Sequence, residues 1–279
     1  METGRNLPTS SLFQQAYECL LINNPIEKVA RTHQLRQQWL TAELTLTPTE
    51  KISALPVPGR PDKPELVHPR KVPRRNFNTT AGRLSLVHAI AHIEFNAINL
   101  ALDAVYRFQT MPEDYYHDWC QVAEEEARHF TLVADYLADN GVHYGDLAAH
   151  NGLWEMALKT DFDVLVRMAL VPRVLEARGL DVTPGMIKKL QAQSQTKLVK
   201  LLTIIFNDEI GHVKTGTKWF NYLCQQRDLD AESTFSHLLD KYMQNASFGP
   251  FDMQARYQAG FSRQEMEDLI QRSHLHKTI

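Results

Sequence analysis

Two short stretches of the chain have residue types and spacing that suit metal chemistry. Asn207-Asp208-Glu209-Ile210-Gly211-His212 and Glu125-Glu126-Ala127-Arg128-His129 both contain Glu-x-x-His. On an α-helix, residues three apart lie on one face, so each pair presents a carboxylate and an imidazole to a common point. With 12 histidines in the chain, about one such match is expected by chance. The third match, Glu65-Leu66-Val67-His68, lies in a Pro-rich run where no helix brings the pair together.

The residues upstream of each pair raise its significance. Glu94 stands 32 residues before Glu126 and Glu176 stands 33 before Glu209, each in an apolar helical pattern. The chain therefore reads Glu, Glu-x-x-His, and again Glu, Glu-x-x-His. This order matches the ligand recipe of dinuclear carboxylate centres in helix bundles. Four carboxylates buried without partners would each cost several kcal/mol, and two divalent cations offset that charge. Oxygen-rich sets with one imidazole per ion suit iron or manganese better than zinc. The expected arrangement gives Glu94 and His129 to one ion and Glu176 and His212 to the other, with Glu126 and Glu209 bridging. Asp208 is expected to orient His129, and Glu125 to orient His212, because a ligating imidazole normally has its other nitrogen held by an acceptor. Glu124 is expected to face solvent. Arg173 and Arg178 make Glu176 the weakest member, since either could pair with it. His88 and His92 read as hydrogen-bonded core residues. Phe95, Phe130 and Phe206, close to ligands in sequence, could wall a cavity.

The elements that must position these residues are helical throughout. A hairpin is expected over residues 11–44, interrupted at Asn23-Asn24-Pro25. Seven of the 13 prolines lie between Pro48 and Pro73, which disfavours helix and central strand alike. That strap ends in the basic run Arg70, Lys71, Arg74 and Arg75, read as a solvated or ion-paired edge, with contact to RNA phosphate as the sharper alternative. The first bundle helix begins near Thr79 or Thr80. Met111-Pro112-Glu113 starts the second, and Asn140-Gly141 stops it. The third carries Leu158, Phe162, Leu165, Ala169, Pro172 and Glu176 on one stripe, is kinked by Pro172, and ends at Gly179. The fourth starts at Thr183-Pro184, with a break near Ser194. Further helices follow over 231–243 and from Ser262. The domain reading is a hairpin and strap over 1–78, a four-helix bundle over 79–226, and a C-terminal helical extension over 227–279.

Length and charge narrow the function. A chain of 279 residues with net charge −3 carries no general attraction for nucleic acid. Three scattered cysteines, Cys19, Cys120 and Cys224, form neither a disulfide framework nor a thiolate site, which fits a reducing cytoplasm. No uncharged apolar run is long enough to cross a membrane.

The ligand order resembles the ferritin-like superfamily over about residues 80–226. Pro69 to Arg75, Leu86 to Glu94 and Pro172 to Asp181 are similar to an uncharacterised bacterial family within it, a domain of unknown function. The resemblance implies a ferritin-like four-helix bundle and a di-iron or dimanganese site. The expected function is a non-haem oxidoreductase that activates dioxygen or peroxide on an unknown small-molecule or RNA substrate, with an electron donor. A metal-binding or iron-handling protein without an organic substrate is the alternative. The strap and tail depart from cage-forming ferritins, so a monomer or dimer is expected.

Overall fold

The computed structural model describes residues 10–72, 76–244, 246 and 248–275. Their regular elements are helices, apart from one parallel strand pair, in which Ser10–Ser11 lies beside Leu44–Thr45, and one isolated bridge. Two compact units result, one running to Glu155 and one from Met156.

The N-terminal unit contains α1 (Leu12–Leu21), α2 (Pro25–Leu40), α3 (Thr80–Arg107) and α4 (Glu113–Asp139). The interruption at residues 23–25 is a helix start: the Asn24 side chain accepts from the Ile26 and Glu27 amides, and Pro25 takes the first position. Helix α1 buries Leu12, Phe13, Ala16, Cys19 and Leu20, and it packs on α3 while α2 packs on α4. Thr79 caps α3 by accepting from the Gly82 amide at 3.1 Å. Glu113 and Asp114 place negative charge in the first turn of α4, where the helix dipole favours it. Gly141, with φ +72°, supplies the left-handed residue after its end. The α3 and α4 helices pair extensively, and that pairing sets the candidate site.

The Pro-rich strap lies on this unit through backbone and side-chain hydrogen bonds. Gly59 N donates to Leu20 O at 2.7 Å and Val67 N to Ala149 O at 2.8 Å, and Ser53 N donates to the Tyr106 hydroxyl at 2.7 Å. A Cβ at Gly59 would stand 2.4 Å from the Leu21 carbonyl carbon, so only glycine permits this approach. Leu66 bridges to Ala149, which confirms that Glu65 and His68 belong to extended chain. At the end of the strap, Arg70 and Lys71 sit exposed in a single turn, Pro69–Lys71. Arg74 and Arg75 lie outside the described residues.

The chain leaves the first unit within α5 (Gly152–Lys159). The second contains α6 (Val164–Leu170), a π-helical turn (Val171–Glu176), α7 (Ala177–Gln191) and α8 (Thr196–Gln226). Beyond them come α9 (Ala231–Tyr242), α10 (Met253–Gln258) and α11 (Arg263–Leu275). Ser262 and Glu265 cap α11 reciprocally: Glu265 N donates to Ser262 Oγ at 3.1 Å and Ser262 N to Glu265 Oε2 at 2.9 Å. No described helix is long and apolar enough to cross a membrane.

Three sequence expectations change here. Gly179 does not end the third helix and Thr183-Pro184 does not start the fourth, because α7 runs through both. Buried Leu180 and Leu190, and Asp181 held by Arg256, outweigh the local penalty of one glycine and one proline, propensity being a weak prior. The break falls instead at Ser194, with φ +56°. Phe162 leaves the inward stripe: it sits between α5 and α6 and is 65% exposed.

Candidate metal centre

Helices α3 and α4 bring Glu94, Glu126 and His129 together. One ligand atom from each lies within 4.8 Å of the others. His129 Nδ1 is 3.3 Å from Glu94 Oε2 and 3.5 Å from Glu126 Oε2, and the three residues are 0–5% exposed. The i, i+3 spacing does what helix geometry requires of it: Glu126 and His129 share the face of α4 that meets α3.

The electrostatics of this cluster arise from burial. Loss of water, then the neighbouring Glu126 charge, holds the Glu94 carboxyl well above the usual carboxylate range, against the pull of His129. Burial alone would lower the His129 imidazole, but hydrogen bonds to Glu126 and Glu94, and their charge, push it up to about 11. The His129 imidazole thus favours its protonated form where a cation could sit. A dry pair of carboxylates with an imidazole between them is a donor set for a hard or borderline divalent cation.

In the C-terminal unit, Glu209 and His212 repeat the arrangement on α8, with His212 Nδ1 3.2 Å from Glu209 Oε2. His212 is 1% exposed, and the Glu209 side chain is 12% exposed. Glu176 is buried at the end of the π-helical turn. Gly179, three residues on and therefore on the same face, lies next to Glu209: a Cβ there would stand at an ordinary contact distance of 3.6 Å from Glu209 Cγ. Pro172 is part of the π turn rather than a simple kink, and it packs against Gly216 of α8. The extra residue of a π turn re-aims the side chains beyond it, and such turns recur at functional sites. The arginines near Glu176 in sequence are engaged elsewhere. Arg173 donates to Glu265 at 2.6 Å and Arg178 to the Gly249 carbonyl at 2.7 Å.

The flanking carboxylates divide. Glu125 is half-buried and accepts from Gln121 at 3.0 Å, and Asp208 is half-buried on α8. Glu124 corrects the sequence expectation, for it does not simply face solvent: it is turned toward α2, 3.5 Å from His33 and 3.8 Å from Arg36. His88 and His92 do belong to the hydrogen-bonded core. His88 Nε2 accepts from the Gly145 amide at 2.9 Å, and His92 bonds the Tyr144 hydroxyl at 3.0 Å. Phe95 and Phe130 pack with Tyr144, centroids 5.1–5.5 Å apart, directly after Glu94 and His129 in the chain. Phe206 is half-buried.

One feature of α3 escaped the sequence reading. Asn96, Asn99, Asp103 and Arg107 continue the His88, His92 stripe at steps of three and four, all buried. Lys28 of α2, also buried, donates from Nζ to Asn99 Oδ1, to Leu20 O at 3.2 Å and to Gly59 O at 2.7 Å. Asp103 and Arg107 form a buried two-point ion pair. The signal was present as polar residues at helical spacing inside an apolar helix, a second stripe beside the one that carries Glu94.

The family model described as "Protein of unknown function (DUF455)" matches residues 21–267. A protein of Haemophilus influenzae, described as uncharacterised, is 42% identical over 269 residues, covering 92% of this chain and 93% of its own length. No solved structure matches.

Proposed function

The chain belongs to the DUF455 family, whose description assigns no activity, and from that premise we propose a ferritin-like oxidoreductase with two non-haem metal ions, acting on an organic substrate. The observation that carries the reading is the buried set of Glu94, Glu126 and His129, whose order in the chain recurs as Glu176, Glu209 and His212. In this reading each set holds one ion, and the helices carrying the ligands correspond to a ferritin-like bundle. Donor chemistry favours iron, with manganese as the alternative, since each half offers carboxylate oxygens and a single imidazole. Bound in reduced form, such ions supply electrons to dioxygen or peroxide.

The chain's own residues set the conditions for that chemistry. Glu94 and Glu126 provide negative charge in a site with almost no access to water, where its attraction for a cation is strongest. Protons on these ligand groups leave when a cation enters, with Glu94 and Glu126 then acting as carboxylates, so metal uptake releases protons. Phe95, Phe130 and Tyr144 pack as an aromatic cluster in the same unit. Asp208 and Glu125 are proposed to hold the non-ligating imidazole nitrogens. An external electron donor is part of the reading. For the substrate, an organic small molecule is favoured, and RNA stands behind it because Arg70 and Lys71 are exposed.

The test is the metal content of protein from its native host, with optical spectra before and after anaerobic reduction and exposure to oxygen. About two iron ions per chain, with an oxygen-dependent spectral change, support the reading. Glu94→Ala and Glu209→Ala should each lower metal content. Retention in both variants, or no stoichiometric metal after anaerobic reconstitution, would leave the six residues as a polar core. Metal uptake with iron oxidation but no organic turnover would instead favour an iron-handling protein.

A further inference from the structure

The C-terminal unit contains a cleft of about 240 Å3 that takes no part in the metal reading. Its apolar lining comes from Val174 and Leu175 of the π-helical turn together with Met243, Phe248 and Phe251. These five are half-buried, so the cleft leaves apolar surface in contact with water. Leu269 closes its floor at 2% exposure.

Three guanidinium groups stand in this apolar setting: Arg173, Arg178 and Arg256. Arg256 is fully committed, donating to both Asp181 oxygens at 3.1 and 2.7 Å and to the Arg173 carbonyl at 3.3 Å. Arg173 gives Nη2 to Glu265 at 2.6 Å, and its fully buried guanidinium is otherwise enclosed by the rings of Phe220, Phe235 and Phe261, whose centroids lie 4.1–4.7 Å away, so its charge is met from within the core and not offered to the cleft. Arg178 uses Nη1 on the Gly249 and Pro250 carbonyls, and its side chain is 44% exposed at the mouth. Asp181 and Glu265 offset two of the three positive charges. The charge that remains is carried by exposed Arg178, beside an apolar wall.

We propose that this cleft binds a small organic monoanion, specifically a monocarboxylate with an apolar tail. A carboxylate matches the planar donor edge of an arginine and neutralises the remaining charge. The tail covers Val174, Leu175, Phe248 and Phe251. The volume lies just below the range of about 300–1,000 Å3 usual for drug-sized ligands, which sets the size at a medium-length aliphatic or single-ring acid. An alkylammonium finds like charge here. Inorganic phosphate finds no use for the apolar lining.

Octanoate is the probe, titrated into the whole protein by calorimetry, with octylammonium and inorganic phosphate in parallel. Octanoate should bind one per chain, and chelator treatment should leave its affinity unchanged because no metal ligand lines the cleft. Arg178→Glu reverses the charge at the mouth, and Val174→Trp fills the volume while leaving every arginine in place. Each should weaken octanoate about tenfold or more, the effect expected for a charge-assisted hydrogen bond or a blocked site. Circular dichroism of both variants verifies that they fold. No octanoate binding by the wild type, equal binding of octylammonium, tighter binding of phosphate, or unchanged affinity in folded Val174→Trp would each overturn the proposal.

Discussion

Gly216→Ala puts the role of the π-helical turn to a test of sign. In a helix interior, replacing glycine by alanine ordinarily stabilises by about 0.5–1 kcal/mol. At Gly216 the new Cβ would stand 2.3 Å from Pro172 Cγ and 2.4 Å from Pro172 Cβ. Carbon atoms pack at about 3.5–4.0 Å, so Pro172 or α8 must move by roughly 1 Å. The proline ring is rigid and its backbone belongs to the turn that ends in Glu176, so no flexible side chain absorbs the shift. Overpacking of this kind costs about 1–3 kcal/mol, and after the helix gain a net loss of about 1–2 kcal/mol remains. The same helix carries its own control, because a Cβ at Gly211 meets nothing within 4 Å. Gly211→Ala should therefore stabilise by up to about 1 kcal/mol. Urea denaturation followed by circular dichroism measures both. In the reading proposed above, Gly216→Ala also displaces Glu176 and lowers metal content, while Gly211→Ala leaves it unchanged. A Gly216→Ala protein as stable as the wild type would refute the packing argument.

Gly179→Ala should be tolerated with metal content retained, since its Cβ meets Glu209 Cγ at an ordinary 3.6 Å. Gly179→Leu extends into the space of that carboxylate and should lower metal content, and metal analysis of the two variants decides. Burial pushes the Lys28 ammonium down to about 7 from 10.5, so the unfolded chain binds its proton more tightly. Stability should therefore rise with pH between about 7 and 10, and Lys28→Met should flatten that rise in urea midpoints. Parallel profiles for the two proteins would refute the assignment. Asp103→Ala removes the two-point carboxylate partner of buried Arg107 and should cost about 3–5 kcal/mol, whereas the double change to Leu and Met should cost much less. Equal losses in the single and double variants would show that the ion pair is not the source of the effect.

The helical class, the hairpin, the strap and most of the helix boundaries were legible because they rest on local rules. Thr79, Asn24-Pro25, Asn140-Gly141 and Ser262 each act at the position where their chemistry places a cap or a stop. Spacing alone put Glu126 beside His129, and Glu209 beside His212. Where packing competes with local preference, the sequence misled. Gly179 and Thr183-Pro184 carry the marks of a helix end and a helix start, yet α7 runs through them because Leu180, Asp181 and Leu190 are held by their surroundings. Glu124 carries the mark of a surface residue, yet it is turned toward His33 and Arg36 of a helix about ninety positions earlier in the chain.

By itself, then, the sequence determined which residues are spaced along a helix to offer ligands, since that spacing is a consequence of 3.6 residues per turn. Only the tertiary structure decided that Glu94 meets His129 at 3.3 Å, that Pro172 seats against Gly216, and that three arginines share a cleft with five half-buried apolar side chains. Those facts depend on which helix faces meet, and that is fixed by burial and shape across long separations in the chain.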